Sequence, residues 1–155
     1  MSDVADIIAG QRGAVPRVLV VDADPRFRPL LVRVLRKAGF AVEGAATMGA
    51  ALEVLNALEL DVMLCERRLP DGSGCDLMRA ALRRRSIKGI VVSDFGGAAE
   101  LAECRAAGFV EYLNKPVAVE PLLAAIERAM QDLGGARSAV PAGYAAPNAS
   151  AAAGL

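Results

Sequence analysis

Val18-Leu-Val-Val-Asp-Ala-Asp-Pro25 passes from a β-branched apolar run to a helix start within a few residues. Consecutive apolar residues of this kind suit a strand buried on both faces, as in a parallel sheet. Asp24-Pro25 then supplies the chemistry of an N-cap and a first helical position. Leu30, Leu31, Val34 and Leu35 repeat at helical spacing as far as Gly39, a C-cap residue. Pro29 removes one helical hydrogen bond, so a late start or a small kink is expected there.

The same alternation continues outward. Phe40–Ala45 reads as a second strand, and Thr47 as the cap of a helix carrying Leu52, Leu55 and Leu58. Residues 61–66, Asp-Val-Met-Leu-Cys-Glu, form a third strand that is apolar until its last residue, and 67–74 reads as a loop. A helix with Leu77, Met78, Ala81 and Leu82 closes on three arginines, 83–85, at the negative end of its dipole. Ile87–Val92 is a fourth strand. Ala98–Ala107 is a helix stopped by Gly108. Phe109–Leu113 is a fifth strand, Asn114-Lys115-Pro116 a turn, and Val119–Leu133 a last amphipathic helix. Strands joined by crossover helices give a parallel sheet covered on both faces, an α/β fold of the flavodoxin-like, doubly wound, five-stranded kind. The domain organisation is a flexible leader over 1–15, with one weak helical turn around Val4–Ile8, a single domain over 16–133, and a disordered Ala/Pro/Gly-rich tail over 134–155.

Composition narrows the function. Eighteen basic residues balance 18 acidic ones, so no global field favours nucleic acid. The chain has no His, which removes the commonest general base and metal ligand and excludes a histidine-bearing phosphodonor. Cys65, Cys75 and Cys104 form no CxxC pair and read as buried free thiols in a reducing cytosol. With no signal core and no apolar run of membrane-spanning length, a cytoplasmic location away from the membrane is expected.

In such a sheet, sites form beyond the carboxyl ends of the strands. Asp22, Ala23 and Asp24 follow strand one, Glu66 ends strand three, Ser93 ends strand four, and Lys115 follows strand five. Each has an ordinary reading: Asp24 as a helix cap, Ser93 as a turn residue, Lys115 as surface. Glu66 is different, because a carboxylate closing a buried apolar strand is costly unless paired. A Glu66–Lys115 ion pair is expected.

Val20-Val-Asp22, Glu66-Arg-Arg-Leu-Pro-Asp-Gly-Ser-Gly74, Val91-Val-Ser93 and Tyr112-Leu-Asn-Lys-Pro116 together resemble the response-regulator receiver domain of two-component signalling, over about residues 16–133. The resemblance implies roles by position. Asp22 matches an acid that helps hold Mg²⁺, Ser93 the hydroxyl that binds a phosphoryl oxygen, and Lys115 the lysine that pairs with the acceptor. Tyr112 matches the aromatic position that reports the signalling state, and the Lys115–Pro116 bond is commonly cis in the family. The sequence departs from the pattern twice. Ala23 stands where a second metal-binding acid belongs, and Glu66 stands where an acceptor Asp belongs. Asp22, Asp24, Glu66 and Arg68 are left as the metal-site positions, and Mg²⁺ is expected to bind weakly or not at all; no other cofactor is implied. An added methylene displaces the acceptor oxygen, and in-line transfer depends on positioning. Glu66 either brings charge toward Ser93, imitating the phosphorylated state, or docks on Lys115. Arg67 and Arg68 read as loop charge, with a clamp on Glu66 as the alternative.

These readings imply an atypical receiver that is not an enzyme, does not depend on phosphorylation and acts by protein–protein contact. Its contact surface is expected on the last two helices and strand five, with Glu100, Glu103, Arg105, Glu111, Glu120, Glu127 and Arg128 as a charged rim. The expected partners are a histidine kinase, a phosphotransfer protein, an output protein or a second copy of the chain. Rival readings are a phosphorylation-competent receiver, stand-alone or from a hybrid kinase, and a small flavodoxin-like nucleotide or flavin binder. No Gly-rich phosphate loop follows strand one, which argues against the last.

Overall fold

A computed structural model of the 155-residue chain describes residues 15–94 and 96–133. The leader, apart from Val15, and the whole of 134–155 lie outside the described residues. The elements in order are β1 (Arg17–Val21), α1 (Phe27–Lys37), β2 (Ala41–Ala45), α2 (Met48–Ala57), β3 (Val62–Cys65), β4 (Arg68–Leu69), β5 (Gly72–Ser73), α3 (Gly74–Arg84), β6 (Lys88–Ser93), α4 (Ala98–Ala107), β7 (Phe109–Asn114) and α5 (Val119–Leu133).

The main sheet has five strands in the order β2-β1-β3-β6-β7, and all its neighbours are parallel. Strand alternation sends successive side chains to opposite faces. Val18, Val20, Val62, Leu64, Ile90 and Val92 therefore join α1 and α5 through Phe27, Leu31, Leu122 and Ile126. Leu19, Val21, Met63, Cys65 and Val91 join α2, α3 and α4 through Leu55, Leu77, Met78 and Cys104. Each fully buried Leu, Ile or Met contributes about 1.5–3 kcal/mol relative to exposure. The expected doubly wound α/β fold is the one observed.

Two local features differ from the sequence reading. Helix α1 starts at Phe27, and its N-cap is Arg26, whose side chain makes no cap hydrogen bond. Asp24 acts from further upstream: its carboxylate accepts from the N–H groups of Arg26 and Phe27. The late start is the one expected, and Pro29 causes no break, because it sits in the first turn, where N–H groups have no intrahelical acceptor anyway. Residues 67–74 are not simply loop, since Arg68–Leu69 pairs with Gly72–Ser73 as an antiparallel ribbon. Asp71 at its tip accepts from Met48 N at 2.7 Å and Gly49 N at 2.9 Å, tying the ribbon to the start of α2. Thr47 and Ser73 cap α2 and α3 through their hydroxyls, at 3.0 Å in both cases.

Candidate functional site

Strand β1 lies between β2 and β3, so consecutive connections leave it in opposite directions and open a crevice at the carboxyl end of the β1–β3 pair. Asp22 emerges from β1 at this crevice, Glu66 from β3 and Ser93 from β6, while Lys115 follows β7. Gly74 shapes the floor. A Cβ at Gly74 would lie 2.5 Å from the Glu66 carbonyl oxygen and 3.1 Å from Cys65 Sγ. Only glycine lets α3 begin so close to the end of β3.

The predicted side chains converge. Lys115 Nζ donates to Asp22 Oδ2 at 2.8 Å and to Glu66 Oε1 at 3.0 Å. The expected Glu66–Lys115 pair is present, with Asp22 as a further member. Glu66 Oε2 accepts from the Arg67 backbone N–H at 2.6 Å and from the Ser93 hydroxyl. One carboxylate is thus held by an ammonium, a hydroxyl and an amide. The two arrangements that the sequence leaves as alternatives, approach to Ser93 and docking on Lys115, occur together, because the longer side chain spans the gap and presents one oxygen to each.

The electrostatics follow from this geometry. Burial alone would raise the Glu66 carboxyl, but the hydrogen bonds from Ser93, Lys115 and Arg67 outweigh it and hold the pKa below the ordinary glutamate value. Burial would lower the Lys115 ammonium, and the hydrogen bonds to Asp22 and Glu66 reverse this, raising its pKa. The Lys115 ammonium also lies 4.3 Å from the centre of the Phe27 ring, a cation–π contact that sequence spacing does not signal.

The metal positions do not fit a six-coordinate Mg²⁺ in this arrangement. Asp22 Oδ1 accepts from Asp24 N at 2.9 Å, and Oδ2 is taken by Lys115. Ala23 carries no oxygen donor on its side chain. Asp24 Oδ1 is taken by the N–H groups of Arg26 and Phe27 in the turn it caps, and both Glu66 oxygens are occupied. Mg²⁺ requires near-octahedral oxygen geometry. Among the described residues, no three carboxylates or thiols are grouped to hold a metal ion. Arg68 is exposed on the ribbon, and Arg67 reaches Glu66 through its backbone N–H.

The family model of the response regulator receiver domain matches residues 18–127. The chain belongs to that family. This receiver is 30% identical over 115 residues to the photosynthetic apparatus regulatory protein RegA of Rhodovulum sulfidophilum, covering 74% of this chain and 63% of that one. It is 31% identical over 123 residues to the acid tolerance regulatory protein ActR of Rhizobium meliloti (strain 1021), covering 79% and 61%. A CheY-like receiver domain from Methanospirillum hungatei JF-1 superposes with a TM-score of 0.72 at 29% identity, covering 76% of this chain and 94% of that one. The receiver thus spans a little over three-fifths of the length of these two curated relatives. The Lys115–Pro116 bond is cis, as the resemblance implies.

Two expectations about the outer face change. Glu127 is only 4% exposed and is not part of a charged rim; burial raises its carboxyl pKa. Glu100 folds back to accept from Gly97 N at 2.9 Å, stabilising the start of α4. Glu111 and Arg128 pair across β7 and α5 at 2.7 Å, while Leu101 and Val110 remain exposed. Tyr112 packs with its hydroxyl against Gly96, where a Cβ would overlap it. No described residue hydrogen-bonds that hydroxyl.

Proposed function

We propose that this receiver is held in one signalling state by Glu66 and acts in two-component signalling without phosphoryl transfer to itself. The observation that carries the reading is the triple engagement of the Glu66 carboxylate by Ser93, Lys115 and the Arg67 amide. In the family resemblance Ser93 and Lys115 are the partners of the phosphoryl group and of its acceptor, and here the residue's own carboxylate satisfies them. The protein then works by contact rather than catalysis, in the cytoplasm. Among the described residues, no helix is long and apolar enough to cross a membrane.

The partner is a histidine kinase, a phosphotransfer protein, an output protein or a second copy of the chain. The contact face is α4, β7 and α5, where exposed Leu101 and Val110 lie among charged residues. Such a mixture of apolar centre and polar rim suits a protein interface.

The test is incubation with a small acyl phosphate donor and Mg²⁺ followed by intact-mass measurement. The wild-type receiver should remain unmodified. The double variant Ala23→Asp, Glu66→Asp should take up a phosphoryl group on position 66. A stoichiometric adduct on wild-type Glu66 would establish a competent receiver instead, and an inert double variant would place the block elsewhere in the site.

A further inference from the structure

Cys75 begins the second position of α3, and Cys104 lies in the middle of α4. Their sulfurs face each other across the seam between these helices at 3.9 Å. Both thiols are free and buried. Neither contributes to the Asp22–Glu66–Ser93–Lys115 cluster. We propose that this pair is an oxidation site, at which a reversible Cys75–Cys104 disulfide tethers α4 to α3.

The geometry favours this pair over other thiol combinations. A disulfide requires sulfurs about 2.05 Å apart. The gap at the seam is therefore short by the scale of side-chain rotation and a small helix shift. Cys65, the third thiol, is turned to the Glu66 carbonyl, to which its sulfur donates at 3.2 Å. Access runs beside Cys104, which lines a cleft between α4 and β7 with Leu101, Arg105, Val110 and Tyr112. Leu101 and Val110, 38% and 44% exposed, carry this cleft to the surface, while Cys104 itself is 1% exposed, so a small oxidant reaches its sulfur through local opening of α4.

With hydrogen peroxide as oxidant, one thiol sulfur attacks a peroxide oxygen, giving a sulfenic acid and releasing water. The second thiol displaces the sulfenic hydroxyl, the S–S bond forms, and a second water leaves. The two sulfurs together give up two electrons, which reduce the O–O bond. Burial pushes both thiols up, Cys104 to about 12, so thiolate is scarce at neutral pH and the reaction quickens as pH rises. The consequence is local. Helix α4 connects the Ser93 strand to the Lys115 strand, and a tether to α3 suppresses its independent opening.

The full chain is exposed to hydrogen peroxide, and free thiols are counted by alkylation and mass measurement. The three free cysteines should fall to one, with peptide mapping assigning the bond to Cys75 and Cys104 and dithiothreitol restoring all three. Cys65→Ser should still form the bond, whereas Cys75→Ser and Cys104→Ser should not. Amide exchange within α4 should slow by about tenfold or more in the oxidised protein. A bond mapped to Cys65, an intermolecular bond, or sulfinic acid on either thiol overturns the assignment. So do unchanged thiols under conditions that oxidise the chain in denaturant, a control that needs no variant. A mapped Cys75–Cys104 bond with unchanged exchange in α4 overturns the tether.

Discussion

Lys115 holds two carboxylates apart. Its ammonium lies 2.8 Å from Asp22 and 3.0 Å from Glu66, with all three side chains largely buried. Replacing it by Met leaves two charges facing each other without compensation. Lys115→Met should cost about 2 kcal/mol, less than for a fully buried pair because the crevice admits water. Urea denaturation at neutral pH measures it. The same cluster sets a pH dependence. The folded-state pKa of Glu66 is depressed, so its stabilisation is present above the unfolded glutamate value and is lost as pH falls through the folded value. The folded-state pKa of Lys115 is raised, so its share is present below the unfolded lysine value and is lost as pH rises through the folded one. Glu66→Gln should flatten the acid limb of a melting-temperature–pH profile. A wild-type profile with no acid limb attributable to position 66 contradicts the pairing. Mg²⁺ at physiological concentration should barely move the melting temperature, since a weak ligand adds little by linkage. Asp22 and Lys115 could be marked from the sequence because strand ends carry the site in this fold class. The Phe27 ring and the Arg67 amide could not, because neither residue type announces such a role.

At the scale of elements, β6 depends on a close approach that its sequence conceals. A Cβ at Gly89 would lie 2.2 Å from Met78 Sδ and 2.7 Å from the Phe109 ring. The β6–β7 register also shifts between Gly89 and Ile90. Gly89→Ala should therefore destabilise by about 2 kcal/mol through overpacking, despite the better strand propensity of Ala. Thermal unfolding of the variant checks this, and an unchanged melting temperature would show that Met78 yields without cost. Helix α4 matches its predicted bounds, Ala98–Ala107, and Gly108 at φ 116° ends it in the left-handed region. The β4–β5 ribbon was not legible. Its strands have two residues each, too short for an alternation to register, and its anchor is the bond from Asp71 to the start of α2.

Across the whole molecule the sheet separates two cores. Ile126 belongs to the layer under α1 and α5, and Ile87 to the layer under α2, α3 and α4. Truncation to Val should cost about 1 kcal/mol at either site. Because the sheet keeps the two layers apart, the double variant should cost the sum to within about 0.5 kcal/mol. Chemical denaturation of the four proteins decides it, and a larger coupling would mean that strain passes through the sheet. The outer face was read less well than the cores. Glu127 looks like rim charge in the sequence, yet α5 turns it inward. A helix with many small residues, such as Ala124, Ala125 and Ala129, packs closely and gives periodicity little leverage over a single charged neighbour.

The sequence by itself determined the alternation of buried strands and amphipathic helices, and hence the parallel doubly wound sheet. It also brought Asp22, Glu66, Ser93 and Lys115 to one edge. Local periodicity and strand-end position suffice for both, since each depends on residues near in sequence or on a rule of topology. Only the tertiary structure decided that Glu66 reaches Ser93 and Lys115 at once and that Cys75 and Cys104 meet. Those outcomes depend on distances between segments far apart in the chain, where one methylene or one helix rotation changes the partner.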